Sequence, residues 1–202
     1  RVLVGSEHPA IQALNELIDE YVGGYPVLIA WECGEGQPCD DVFDKHSLTM
    51  AETLTRKLMS AQNVASVLGP TNAAVFVASE EGFEIRHFVE NDLPARDVDS
   101  IAAHALNDPF WVGDLVSADR RVGVIFLQPA DNRPESEIAI TDMLDTILED
   151  FRTEGYSYHV LGDAPENVSA GRALSESTAS LIPFLVLVIA AILYMLTRSW
   201  QQ

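Results

Sequence analysis

The chain has 202 residues, 48% hydrophobic and 21% charged, which is long enough for a buried core and excludes disordered and low-complexity chains. Its 31 acidic and 12 basic residues give a formal net charge of −19, which excludes a general nucleic-acid binder and disfavours charge-driven docking on anionic lipid. Two cysteines are too few for a disulfide-dense scaffold or a four-thiolate zinc site.

In the first half of the chain, the hydrophobic pattern alternates between helical and strand periods. Ser47 is a candidate N-cap, and Gly69 with Pro70 ends a strand. The predicted elements are a helix over 8–21, a strand over 26–31, a helix over 47–61 and a strand over 64–68, followed by 71–92, where strand and helix are both compatible. The apolar face predicted for the second helix comprises Leu48, Ala51, Leu54, Leu58 and Met59.

The second half continues the alternation. The predicted elements are a helix over 97–106, a hairpin of 115–117 with 121–127, an amphipathic helix over 135–152, a strand over 156–161 and a polar helix over 165–180. No breaker separates the last helix from the segment that follows it. Strands interleaved with amphipathic helices predict an α+β sandwich, and this order favours a ferredoxin-like split β-α-β arrangement.

The last two dozen residues differ sharply in composition from the rest. All 31 acidic residues precede Ala179, and residues 177–197 carry no charge. A membrane-spanning helix needs about 20 predominantly apolar residues, so this stretch predicts one transmembrane helix. Pro183 lies in the first turn of the apolar run, where its missing N–H is least costly. The alternative is a buried core helix, although such a helix normally has a polar stripe and this segment has none.

The flanks of the apolar segment predict its orientation. Arg198 and Trp200 follow it, whereas a strongly acidic region precedes it. Because basic residues prefer the cytoplasmic side and Trp prefers the interface, residues 1–178 are expected outside the cytoplasm. We therefore expect an extracytoplasmic α+β domain over 1–178, and a transmembrane helix with a cytoplasmic stub over 179–202. The start without Met or a targeting segment favours a fragment of a polytopic protein.

Four stretches resemble the exporters of the RND superfamily, MMPL type. The strand PVLIAWEC and the helix-strand segment DVFDKHSLTMAETLTRKLMSAQNVASVLGPTN resemble the start of the family's first porter segment. ALNDPFWVGDLVSADRRVGVIFLQ resembles its hairpin, and GYSYHVLGDAPENVSAG its strand followed by a helix. SLIPFLVLVIAAILYMLTRSW resembles its second membrane helix, which ends in a basic residue and Ser.

The resemblance implies part of a proton-driven exporter of hydrophobic or lipid-like molecules in the inner (cytoplasmic) membrane. Residues 1–178 would form part of the periplasmic substrate path as a porter-type subdomain. The implied partners are the lipid bilayer, the hydrophobic substrate, and the remaining transmembrane and porter domains of the same protein. In the family the proton-relay acids lie in other membrane helices, and the apolar segment here has no acid. The unusual acidity is compatible with a saline habitat.

The sequence is also compatible with a second class of function. A single-pass anchored sensor or binding module would have the same acidic outer domain and the same apolar helix. A membrane-tethered hydrolase has no supporting motif, because G-x-S-x-G and Gly-rich phosphate loops are absent from the sequence. The five histidines are scattered singly. We therefore expect no enzymatic activity, no cofactor and no metal site.

Two cysteines and a run of acids share one loop. Cys33 and Cys39 have five residues between them, and outside the cytoplasm a loop-closing disulfide is expected. The alternatives are two free thiols, or a zinc site with Asp44 and His46. The carboxylates of this loop predict a solvated acidic surface, with calcium binding as the alternative, although their spacing does not match an EF-hand. They are Glu32, Glu35, Asp40, Asp41 and Asp44.

An aromatic pair, Phe110 and Trp111, follows Asp108 and Pro109. One interpretation is a core anchor between a helix and the hairpin. The other is a wall of the apolar substrate path, because ligand pockets are lined by aromatic side chains. The pair is the candidate substrate-path site of the sequence.

Overall fold

The computed structural model describes residues 24–79, 82–87 and 95–199, together with Gln12. Apart from Gln12, the helix predicted over 8–21 lies outside these residues. The described residues up to Pro165 form one compact unit, and those from Glu166 onward belong to a second. The elements are β1 (Val27–Glu32), α1 (Lys45–Met59), β2 (Val64–Leu68), β3 (Val75–Ser79), β4 (Gly82–Arg86), α2 (Ala95–Ala105), β5 (Val122–Pro129), α3 (Pro134–Arg152), β6 (Tyr158–Leu161) and α4 (Asp163–Ser199).

The first unit contains a four-stranded sheet of order β2-β5-β1-β6 in which all neighbouring strands are antiparallel. Ile29 of β1 lies opposite Ile125 of β5 and Val160 of β6. Because β5 is antiparallel to both β1 and β2, these two strands run parallel and are connected through α1. In the same way, β5 and β6 run parallel and are connected through α3. The predicted α+β class is confirmed.

One face of the sheet carries the core of this unit. Along β1, Val27, Ile29 and Trp31 are fully buried, whereas Leu28 and Ala30 on the opposite face are half-buried. This is the period-two alternation of a strand with one covered face. The helices supply the second layer: Tyr158 Oη donates to Met50 Sδ of α1 at 3.0 Å, and the Tyr158 ring contacts the Phe151 ring of α3 edge-on.

The N-terminus of α1 differs from the prediction. The N-cap is Asp44, whose carboxylate accepts the His46 N–H at 2.8 Å, and not Ser47. Ser47 is buried instead, and its hydroxyl accepts the indole N–H of Trp31 at 3.0 Å. An indole N–H in a core needs such an acceptor, so the Ser47 hydroxyl serves the core rather than the cap. The predicted apolar face is confirmed except at Met59, which is 58% exposed.

The prediction for α3 is confirmed almost to the residue. Pro134 occupies the first turn, where a missing N–H is least costly, and Glu135 and Glu137 follow it at the positive end of the helix dipole. Just before the helix, Asp131 accepts from Arg133 Nε at 2.8 Å and from its backbone N–H at 3.0 Å. The Arg133 guanidinium lowers the pKa of the Asp131 carboxyl to about 2.

This shift makes part of the stability of the unit depend on pH. Because the folded pKa of Asp131 lies below the ordinary value, its contribution is complete above about pH 4 and is lost as the pH falls towards 2. We expect Asp131→Asn to lower the free energy of unfolding in urea at pH 7 and to have little effect at pH 2. As a control, Asp114→Asn removes an exposed carboxylate. A deficit in D131N that is as large at pH 2 as at pH 7 would contradict this linkage.

Residues 71–92, for which the pattern allowed helix or strand, contain the hairpin of β3 and β4 as far as they are described. The hairpin predicted for 115–117 with 121–127 is present, with a short first arm. The Ser117 N–H donates to the Val122 carbonyl and the Val124 N–H to the Leu115 carbonyl, each at 2.9 Å. Val116 forms only isolated bridges, to Val112 and Gly123, while β5 extends over eight residues. Before this arm, Gly113 adopts φ +102° and its N–H donates to the Val116 carbonyl at 2.9 Å.

The helix α4 is continuous from Asp163 to Ser199. The prediction that the polar segment continues into the apolar segment is therefore confirmed. Pro183, expected near the start of a helix, lies in the interior of α4 instead, because no residue before it ends the helix. At this position proline cannot donate to the carbonyl four residues earlier, that of Ala179. The proposed boundary at 178/179 falls within this helix.

Candidate functional site

The apolar part of α4 is largely exposed as far as its side chains are described, up to Tyr194. Within the part of the chain that the structure describes, it is the one helix long and apolar enough to cross a membrane. None of its most apolar 18-residue window is buried. The large hydrophobic side chains that are at least 48% exposed are Leu181, Ile182, Phe184, Leu185, Val186, Leu187, Ile189, Ile192, Leu193 and Tyr194. Such a surface is unlike a soluble core helix, which buries an apolar stripe.

The length of the uncharged segment matches a bilayer. At 1.5 Å per residue, residues 177–197 span about 31 Å, and the hydrocarbon core of a typical bilayer is about 30 Å thick. The charged residues of α4 that precede this segment, including Arg172 and Glu176, lie outside that length. Both the helix length and the uncharged composition therefore identify residues 177–197 as the candidate membrane span.

In the first unit, Cys33 and Cys39 are joined by a disulfide, with Cα atoms 5.0 Å apart. Both are buried, and the loop between them is closed further by the Gly34 N–H, which donates to the Cys39 carbonyl at 2.7 Å. The Cys33 N–H donates to the Arg121 carbonyl at 2.7 Å, which attaches the loop to the turn before β5. The disulfide therefore holds the loop at the edge of the core.

We expect the double variant Cys33→Ser/Cys39→Ser to be less stable by about 2 kcal/mol, which is the loop-closure entropy of a ring of this size. Urea unfolding of the variant and of the parent chain measures this difference. A reducing agent should lower the stability of the parent chain to that of the variant and leave the variant unchanged. An equal stability of parent and variant before reduction would contradict a stabilising role.

Three of the five acidic side chains of this loop are engaged within the protein, and the other two, Glu35 and Asp40, are exposed. Asp41 forms an ion pair with Arg120 at 2.7 Å, Asp44 caps α1, and Glu32 lies 3.0 Å from Nε2 of His159. Among the described residues, no three His, Cys, Asp or Glu side chains are grouped to hold a metal ion. Asp41 and Glu32 thus connect the loop to Arg120 and His159 elsewhere in the unit.

The aromatic pair of the sequence is divided between core and surface. Trp111 is 1% exposed, and its indole N–H donates to the Ala74 carbonyl at 3.2 Å. Phe110 is 49% exposed. The two rings therefore do not form one wall, because Trp111 packs as a core anchor whereas the Phe110 ring is half exposed.

A cleft of about 630 Å³ lies between α1 and the chain that follows α3. Its floor is apolar, formed by the buried Met50, Phe151 and Tyr156. Its rim is polar, with Lys45, His46 and Glu154 exposed. The remaining lining residues are Pro38, Thr49 and Thr53. The volume is within the range of about 300 to 1,000 Å³ that is usual for ligand sites.

The two lysines of the sequence, Lys45 and Lys57, are both in α1 and differ in their contacts. Lys57 Nζ lies 3.0 Å from Asp150 and 5.0 Å from the centre of the Phe151 ring. Lys45, at the rim of the cleft, has no ion pair with any side chain in the described ranges. Burial raises the pKa of Tyr156 and of Tyr158, so both phenols stay neutral. The cleft thus combines an apolar floor with a polar rim on which Lys45 and Glu154 carry opposite charges.

The chain matches no family model, no curated protein and no solved structure. The lining of the cleft was not foreseen from the sequence. Lys45, Thr49 and Thr53 recur at four-residue spacing and so share one helix face, which is a detectable signal. Phe151 and Tyr156 are about a hundred residues further along the chain, and no local pattern links them to that face.

Proposed function

We propose that this chain is part of a proton-driven exporter of the RND superfamily, MMPL type. In this proposal α4 crosses the inner (cytoplasmic) membrane, and the first unit forms part of the extracytoplasmic path of a hydrophobic or lipid-like substrate. The remaining transmembrane and porter domains of the protein would supply the proton relay. The observation that carries the proposal is the exposed apolar surface around α4, over a length that matches the hydrocarbon core.

The topology of the sheet supports the same proposal. In the order β2-β5-β1-β6, two β-α-β crossovers interlock, with α1 and α3 on the same face. This order supports a ferredoxin-like split β-α-β arrangement, with β3, β4 and α2 as an insertion between β2 and β5. The resemblance of four sequence stretches to porter segments points to the same architecture.

The charge distribution supports the orientation. All 31 acidic residues precede Ala179, and Arg198 and Trp200 follow the apolar stretch. Basic and aromatic residues of this kind favour the cytoplasmic interface, which leaves the first unit on the periplasmic or extracellular side. A thiol reagent that does not cross membranes should therefore label Cys33 or Cys39 in intact, reduced cells. Labelling only after lysis would contradict the orientation.

Export itself is tested in cells that carry the complete gene, with Nile red as a lipophilic probe. Cells with the intact gene should retain several-fold less dye than cells in which the gene is deleted, and a protonophore should abolish the difference. Cells producing Leu187→Arg, which places a charge at the centre of the apolar segment, should resemble the deletion strain. Equal retention in all strains, for Nile red and for a fluorescent fatty acid, would contradict export.

The cleft favours a second candidate function, an anchored binding module for an amphipathic anion. An acyl chain would contact the floor at Met50 and Phe151, and the carboxylate would face Lys45. Lys45→Glu should then weaken binding of a fluorescent fatty acid to the purified chain, while Lys57→Glu, whose ammonium is paired with Asp150, serves as the matched control. A pure exporter fragment predicts no difference between these variants.

A further inference from the structure

The two sides of the cleft carry opposite charges. Lys45 belongs to α1 and Glu154 to the chain that follows α3, and both of these exposed side chains line the cleft. Within the described ranges, neither side chain forms an ion pair or a hydrogen bond. An ammonium and a carboxylate thus face one space of about 630 Å³ without neutralising each other.

Further along α1, a closed ion pair joins the same two helical segments. Lys57 Nζ lies 3.0 Å from the Asp150 carboxylate of α3 and 5.0 Å from the centre of the Phe151 ring. This pair shows the closed form of a bridge between α1 and α3, whereas the cleft separates Lys45 from Glu154. A ligand that carries both charges can close this second bridge.

Apolar groups form the floor between the two charges. Met50, Phe151 and Tyr156 are buried there. Burial, and then the charges of Asp44 and Glu154, raises the pKa of Tyr156, which indicates that both carboxylates lie near this ring. Alkyl groups of a ligand are therefore favoured on the floor, and charged groups are favoured at its edges.

The hydroxyl groups of the lining are already engaged. The Thr49 hydroxyl donates to the Lys45 carbonyl at 2.7 Å, and the Thr53 hydroxyl donates to the Thr49 carbonyl at 2.9 Å. Both hydroxyls thus use their donors within α1. Recognition of a polar ligand therefore depends on the ionisable groups of the rim, which are Lys45, His46 and Glu154.

A simple anion gains little at this site. Its carboxylate would be attracted by Lys45 but repelled by the carboxylates of Glu154 and Asp44. The chain as a whole carries a net charge of −19, which also repels anions. An ammonium group on the same ligand converts the repulsion at Glu154 into an attraction.

We infer that the cleft binds a linear zwitterion, in which an alkyl chain separates a carboxylate from an ammonium group. The carboxylate faces Lys45, the ammonium faces Glu154, and the alkyl chain lies on Met50 and Phe151. The inference rests on the second candidate function, the anchored binding module, and specifies its ligand class. The bound anion carries a cationic group at the far end of its chain, so that ligand and rim neutralise each other.

The experiment titrates the full 202-residue chain in detergent with three probes of equal chain length, aminocaproate, caproate and hexylamine. The methyl NMR signal of Met50 on the floor reports binding, and that of Met59, which does not line the cleft, reports nonspecific effects of the probe. An exposed charge contact contributes up to about fivefold in affinity, so aminocaproate should bind about fivefold more tightly than either of the other probes.

Charge variants test the two sides separately. Glu154→Gln should remove the preference for aminocaproate over caproate, and Lys45→Gln should weaken both. The double variant Lys45→Glu/Glu154→Lys should recover the affinity for aminocaproate, because a ligand with one charge at each end can bind in the reverse direction. Asp114→Asn, at an exposed carboxylate that does not line the cleft, is the matched control and should change nothing. An unchanged signal of Met143, which packs against the core, shows that each variant is folded.

The results that would overturn the inference differ in what they say about the binding module. If caproate binds as tightly as aminocaproate and Glu154→Gln changes neither affinity, the cleft is a site for simple anions and the module stands without the zwitterion. If no probe shifts the Met50 signal, the inference fails, and binding of the fluorescent fatty acid then decides separately about the module. A double variant that binds aminocaproate no better than Lys45→Gln would contradict the bridge between the two sides.

Discussion

Replacing Leu187 and Ile189 together by arginine is expected to release the chain from lipid vesicles. Leu187 is the middle residue of the uncharged stretch 177–197 and is therefore furthest from both interfaces. Each arginine at the centre of a spanning helix costs about 2.5 to 3.5 kcal/mol by insertion measurements. The pair should thus lower the partition constant of the chain into the membrane by three or more orders of magnitude. The measurement is flotation of reconstituted vesicles on a density gradient, with the chain detected in the floating and bottom fractions.

The matched control places the same two charges elsewhere in the same helix. Ala173 and Leu174 are exposed residues of α4 that precede the uncharged stretch, and their replacement by arginine should leave flotation unchanged. If the parent chain stays in the bottom fraction as a monomer without detergent, then α4 does not enter lipid. Equal flotation of the two double variants would also contradict a membrane-spanning role.

The second large effect is expected at the contact between Trp31 and Gly123. A Cβ at Gly123 would lie 2.2 Å from the nearest ring carbon of Trp31. The ring cannot move aside, because it is fully buried and its N–H is held by Ser47. Overpacking of this kind costs about 1 to 3 kcal/mol, so Gly123→Ala should be clearly destabilised. Trp31→Ala leaves a cavity and should cost about 3 to 5 kcal/mol.

The double variant separates steric conflict from any other effect of the alanine. In the Trp31→Ala background the added methyl group has space, so Gly123→Ala should cost little there or even stabilise the strand. Urea unfolding of the chain in detergent, followed by the fluorescence of the buried Trp111, measures all four free energies. Additive costs in the double variant would show that the ring of Trp31 is not what excludes a side chain at position 123.

Local sequence patterns correctly predicted those elements whose secondary structure is determined by residues nearby in the sequence. The strand over 64–68 and the helix over 135–152 have clear periods and clear ends, and both are present. The prediction failed where two local rules competed. Ser47 is a residue type preferred at the N-cap, but Asp44, three residues earlier, caps the helix. The Ser47 hydroxyl instead accepts the indole N–H of Trp31.

Contacts between residues far apart in the sequence determine the features that the sequence pattern did not predict. The burial of Trp111 depends on the Ala74 carbonyl, and the cleft depends on Phe151 and Tyr156 meeting α1. Neither follows from spacing, because periodicity shows which face of an element is apolar but not which other element covers it. The apolar segment 177–197 was the strongest signal for the opposite reason, since length and composition alone predict a membrane span and no partner element has to be known.

The proline within α4 has a mechanical consequence. Without an N–H at Pro183, the Ala179 carbonyl lacks its helical donor, and the pyrrolidine ring crowds the same turn. A helix bends most easily where a backbone hydrogen bond is missing, so we expect α4 to bend around Pro183. In the proposed membrane orientation the Ala179 oxygen would lie close to the lipid surface, where a water molecule or a hydroxyl of a neighbouring helix can donate to it.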